Sequence, residues 1–221
     1  MSNDAYAAGL AAFNTTFAQE TAQFGNKNIR AAGRANAKED KQWWQANGPQ
    51  MVFAYYNWRQ SHSNLEIWHT PEGVPAIELQ CNVTLPDGTS LLAYIDRVFQ
   101  DKVTGDLLIV DLKTGKNSPG SALQLGVYRL CLEETFGVSP KHGAYWMGRS
   151  GNLDTIYDLD LLPPKAISRW LRDTRKAIEL NLFVPKVGKD CSWCGVKEHC
   201  YTQNPALPRP DFDSDLITSQ E

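Results

Sequence analysis

The sequence predicts an α/β fold: a mixed central β-sheet flanked by helices, with a helical N-terminal region and a C-terminal cysteine-rich strap. Three observations carry this. Short apolar runs separated by turn signals fill residues 76–113, and helical patterns stand on both sides of them in the order βββαβ. The third is "CSWCGVKEHC", three cysteines closely spaced near the C-terminus.

Taken in order, "DAYAAGLAAFNTTFAQETAQF" reads as a helix, with Tyr6, Leu10, Phe13, Phe17 and Phe24 along one stripe and alanines supplying propensity. "IRAAGRANAKEDKQWWQANG" is polar and glycine-punctuated and reads as a loop or weak helix. A second helix is expected from Pro49 to His62, with proline in its first turn. "AIELQCNVTL", "SLLAYIDRVFQ" and "LLIVDLK" read as an antiparallel meander joined by the turns "PDGT" and "DKVTGD". After the break "TGKNSPGS" comes the helix "ALQLGVYRLCLEETFG", capped by Gly137. Strands "HGAYWM" and "DTIYDLDL" and a helix begun by Pro163–Pro164 complete the core. The expected division is a helical region over 1–74, a sheet core over 75–185, a cysteine strap over 186–204 and a disordered tail over 205–221, all in one compact unit.

Composition bounds the function. The 221 residues are 42% hydrophobic and 21% charged, an ordinary globular mixture. No apolar run approaches a membrane span and the N-terminus lacks a signal-peptide pattern, so a cytoplasmic location is expected. A net charge of −3 argues against a non-specific DNA coat, though not against an enzyme with a locally basic groove.

The acids hold the chemistry. Alternation in "LLIVDLK" puts Leu107, Ile109, Asp111 and Lys113 on one face. In the preceding strand Leu92, Tyr94, Asp96 and Val98 share a face, and Glu78 lies in the strand before that. Three neighbouring strands thus each deliver one carboxylate, which a divalent cation, Mg²⁺ or Mn²⁺, would neutralise. A lysine beside them suits water activation or phosphate neutralisation, so the expected reaction is metal-assisted hydrolysis of a phosphodiester. The plainer alternative is a strand-end salt bridge between Asp111 and Lys113. Against it, Gln124 and Tyr128 are i,i+4 neighbours on the next helix, and the loop before them brings Lys116.

"AYID", "DLK" and "QLGVY", in that order, resemble the PD-(D/E)XK nuclease superfamily, with its G-x-x-D strand, (D/E)-x-K strand and Q-x-x-x-Y helix. The likeness is to RecB-type exonucleases, including CRISPR-associated RecB-like nucleases and phage-encoded relatives. It implies a restriction-endonuclease-like core and a metal-dependent DNA exonuclease working on single strands or ends, in recombination, repair or phage DNA metabolism. Asp96 and Asp111 would be metal ligands, Lys113 the catalytic lysine, Gln124 and Tyr128 further site and DNA contacts, and Glu78 an additional acid; Lys116 would contact DNA. Ala93 stands where the pattern has glycine. Many members place a metal-binding histidine on an N-terminal helix; here Gln50 would stand in, and His62 comes at the far end.

Cys191, Cys194 and Cys200 suit a metal or iron–sulfur centre that needs a fourth ligand. The resemblance implies a 4Fe–4S cluster; zinc with His199, or thiols that bind nothing, are the alternatives. Cys81 and Cys131 read as core. Most of the seven tryptophans and eight tyrosines read as packing, and Arg149, Lys165, Arg169, Arg172, Arg175 and Lys176 as a DNA groove or a solvated helix face. Without a Walker motif, any ATP use would belong to a helicase, recombination or CRISPR-adaptation partner. The competing reading of the whole chain is a non-catalytic nucleic-acid-binding subunit of such a complex, and a prespacer processor is a third.

Overall fold

The computed structural model describes residues 3–22 and 39–207. Among the described residues four α-helices, α1 (Asn3–Thr21), α2 (Lys41–Ser61), α3 (Leu123–Phe136) and α4 (Pro164–Glu179), accompany six strands. These are β1 (Leu65–Ile67), β2 (Ile77–Thr84), β3 (Ser90–Asp101), β4 (Leu107–Lys113), β5 (His142–Met147) and β6 (Asn152–Asp158). The chain divides into two compact units, Met1–Arg172 and Asp173–Glu221. Phe24 and most of the expected tail lie outside the described residues.

The first unit holds the sheet, ordered β1-β3-β4-β5-β6 with β2 also paired to β3. The β4–β5 pair is parallel and the others antiparallel, so the sheet is mixed, as expected. Parallel neighbours need a crossover, and α3 supplies it. Successive residues of β4 serve two cores. Ile109 packs in a cluster with Leu125, Leu130 and Leu132 of α3, while Val110 packs with Trp58 of α2, Phe99 and Trp146. A strand covered on both faces reads as a continuous apolar run, which accounts for "LLIV".

Two expectations change. Residues 41–48 of the polar stretch before Pro49 are helical: Asp40 is the N-cap, its carboxylate accepting from Trp43 N–H at 2.9 Å, so α2 starts at Lys41 and Pro49 lies inside it, while residues 29–38 of the stretch lie outside the described residues. A side-chain cap outweighed the proline signal. In β3, Leu92 and Tyr94 are exposed while Val98 is buried in the same cluster as Ala93 and Ile95. Alternation therefore breaks between Ile95 and Val98, and the single face running from Leu92 to Val98 does not form. The break coincides with Glu78 on β2, whose φ is +49°.

In the second unit the chain after α4 forms two short 3-10 turns, Lys189–Trp193, which contains Cys191 and is followed by Cys194, and Lys197–His199, which is followed by Cys200.

Candidate active site

The site lies at the C-terminal end of β4. Ile109, Asp111 and Lys113 leave the strand toward α3, and the first turn of α3 brings Gln124 over them. The Asp111 side chain is 2% exposed, and its Oδ2 is 2.5 Å from Lys113 Nζ. Gln124 links the group: its Nε2 donates to Asp111 Oδ1 at 2.8 Å and to Tyr128 Oη at 2.7 Å, while its Oε1 accepts from Lys113 Nζ at 3.1 Å. The Tyr128 hydroxyl donates to Asp111 Oδ1 at 3.3 Å. The strand acid, its lysine and two residues one helical turn apart thus form one network.

Asp96 enters from β3. The β3–β4 ladder runs as far as Arg97 opposite Val110; one step beyond, the Asp96 Oδ2 carboxylate oxygen accepts from Leu112 N–H at 2.7 Å. Here a side chain occupies the gap between two strands, which brings its carboxylate beside Asp111. The irregularity near Asp96 is therefore part of how the site is built.

Electrostatics follow from this crowding. Burial, chiefly, raises the Asp111 carboxyl above its ordinary value, and the Asp96 charge pushes the same way against the opposing pull of Lys113. Burial likewise pushes Tyr128 up to about 12, so its hydroxyl stays a donor at neutral pH. Tyr145, opposite Asp111 in the parallel register, is also raised to about 12 by burial. Its hydroxyl donates to Ser121 O at 2.8 Å and ties the loop before α3 to the sheet. Tyr145 was not singled out in the sequence; its place within the strand "HGAYWM" was the available signal.

Two carboxylates, one of them nearly buried, ask for positive charge beyond one lysine. Among the described residues no three His, Cys, Asp or Glu side chains are grouped to hold a metal ion. Mg²⁺ does not require three, since one or two carboxylates with waters and phosphate oxygens complete its shell. Asp96 and Asp111 fit that donor set.

Other expected residues lie elsewhere. Glu78 is exposed and pairs with Arg97 at 3.5 Å. Lys116 Nζ lies 3.3 Å from Glu39, a buried acid that the sequence reading did not single out. Glu39 also accepts from Arg149 at 2.8 Å, and this bond above all holds its carboxyl below the usual range. His62 caps the end of α2, its Nδ1 2.9 Å from Trp58 O, and Gln50 lines a cleft between α2 and the β5–β6 turn. Cys81 and Cys131 are fully buried, and burial drives the Cys131 thiol up to about 12.

In the second unit Cys191, Cys194, Cys200 and His199 line one pocket of about 520 Å³. They are not grouped to hold a metal, so this arrangement does not fit a preformed centre. Cys200 Sγ lies 3.1 Å from Thr202 Oγ1, a contact that lowers its pKa.

A sequence model described as the PD-(D/E)XK nuclease superfamily matches residues 8–201. The chain belongs to that superfamily. Two similar proteins are each called Gene 69 protein, from Mycobacterium phages D29 and L5. The first is 35% identical over 72% of this chain and 65% of its own length; the second is 31% identical over 72% and 67%. The chain thus spans about two thirds of these relatives. The crystal structure of SSO0001 superposes with TM-score 0.43 and 11% identity over 85% of this chain and 96% of that one. Superfamily membership accords with the restriction-endonuclease-like core expected from the sequence. No described helix is long and apolar enough to cross a membrane.

Proposed function

We propose that this superfamily member is a divalent-metal-dependent deoxyribonuclease that hydrolyses phosphodiester bonds, acting on single strands or DNA ends. The observation that supports this best is the hydrogen-bonded group of Asp111, Lys113, Gln124 and Tyr128, with the Asp96 carboxylate set into the β3–β4 gap. Asp96 and Asp111 would hold Mg²⁺ or Mn²⁺. A cation bound there supplies a Lewis acid for the phosphate and lowers the pKa of a bound water. Lys113, held by Gln124 Oε1 and the Asp111 carboxylate, places an ammonium where the attacking water loses its proton and phosphate charge accumulates. Gln124 and Tyr128 fix the Asp111 carboxylate by donating to its Oδ1. Phage relatives support a role in phage DNA metabolism inside a host cell.

Linear and covalently closed circular DNA, single- and double-stranded, tests the end requirement. Degradation of linear DNA alone with Mn²⁺ or Mg²⁺ is expected; equal loss of closed circles contradicts an exonuclease, and no loss of either favours a binding subunit. For the thiols, the C-x₂-C-x₅-C spacing alone speaks for a 4Fe–4S cluster, and the described side chains are not grouped to hold one. Broad visible absorbance lost in Cys194→Ser is the expected sign, and a colourless protein carrying zinc contradicts it.

A further inference from the structure

The cleft between α2 and the β5–β6 turn has a volume of about 370 Å³, within the range of small-molecule sites, about 300–1,000 Å³. It abuts the catalytic strand. Gly148 N–H donates to Lys113 O at 2.8 Å, and Arg149 Nε donates to Thr114 O at 2.8 Å. The cleft therefore meets the backbone of the strand end whose Lys113 side chain enters the active site.

Arg149 is held in an unusual way for a surface cation. Its Nε and Nη2 are spent in the guanidinium plane on Thr114 O and Glu39, and one face rests on the Trp43 ring, 4.7 Å from its centroid. Arg149 and Trp43 together line the cleft. A guanidinium so fixed is a flat, preorganised platform, and nucleobases stack on such planes as they do on aromatic rings. Around it stand two amides on one side of α2, Asn47 and Gln50, three residues apart. Asn47 Nδ2 is bonded to Trp43 O at 2.8 Å, which keeps Oδ1 as an acceptor. Amides are both donors and acceptors and suit the edge of a base. A Cβ at Gly148 would stand 3.2 Å from Met51 Sδ, so a side chain there would shift the end of Met51, which also lines the cleft.

We propose that this cleft binds one unpaired nucleobase of the DNA strand entering the active site, stacked on Arg149 and read at its edge by Asn47 and Gln50. The proposal rests on the nuclease reading and adds a substrate subsite to it. It makes Gln50 a base contact, and it gives the buried Glu39 the task of holding the platform.

The test is an abasic walk. Full-length protein carrying Asp111→Asn is titrated with labelled single-stranded oligonucleotides of equal length, each with one abasic residue at a different distance from the end. One position is expected to cost about tenfold in affinity, as loss of a stacked base does. Added Gln50→Leu or Arg149→Lys is expected to weaken the intact oligonucleotide and shrink that penalty to below about threefold. Gln50 is exposed, so its variant folds even if the Arg149 variant does not. A flat walk, or a penalty unchanged in Gln50→Leu, overturns the subsite. Cleavage by the wild type with Mn²⁺ is read separately: cleavage with a flat walk removes the subsite alone, and absence of cleavage removes the nuclease reading.

Discussion

Asp111 shows how function strains a fold at the level of one residue. Burial holds its carboxyl above the ordinary value, so the folded state keeps the proton more tightly than the unfolded chain does. That contribution favours folding fully below the ordinary carboxylate pKa and is lost as pH rises through the raised value; at neutral pH the ionised group works against the fold. Asp111→Asn is therefore expected to melt above the wild type near neutral pH in the presence of a chelator. The advantage should shrink as the pH falls through the raised value toward the ordinary carboxylate pKa, and change little below it. Mg²⁺ or Mn²⁺ should raise the melting temperature of the wild type and leave Asp111→Asn unchanged, and equal responses would count against Asp111 as a ligand. Gln124 touches three partners, so Gln124→Leu misplaces both Lys113 and Asp111 and should lower kcat about 100-fold. Tyr128→Phe removes two hydrogen bonds, the one its hydroxyl donates to Asp111 Oδ1 and the one it accepts from Gln124 Nε2, and should cost about tenfold. Glu78 pairs with Arg97 at the surface, and metal titration of Glu78→Gln is expected to show an affinity within about threefold of the wild type. A larger loss would make it a third ligand.

At the level of elements, the strands and α3 were legible because their signals are local and agree with one another. The apolar run of β4 is covered on both faces, and Gly137 ends α3 in the left-handed conformation, φ +69°. Gly137→Ala must adopt that conformation with a Cβ and should cost about 1–2 kcal/mol in urea unfolding. An unchanged midpoint would show that the cap relaxes. Other features were harder to read. The start of α2 depends on the Asp40 cap, which looks like any polar loop residue until Trp43 N–H is seen bonded to it. The break in β3 depends on Glu78 and on a missing ladder step, and alternation cannot foresee either. Despite that break, the Asp96 carboxylate reaches across to Leu112 N–H on β4. Glu39 was invisible for a related reason: its two cations are supplied from distant loops, at Lys116 and Arg149.

For the molecule as a whole, the sheet unit contains every residue of the proposed hydrolytic site, and the cysteine segment belongs to the other compact unit. The most direct measurement is the single-turnover rate on end-labelled linear DNA, with protein in excess and Mn²⁺ or Mg²⁺ present, for the wild type, Asp111→Asn and Lys113→Ala. The account predicts metal-dependent cleavage by the wild type and losses of about 100-fold or more in both variants, the scale of removing one transition-state stabilising group. Rates in the variants equal to the wild type, or wild-type cleavage indifferent to a chelator, would contradict it.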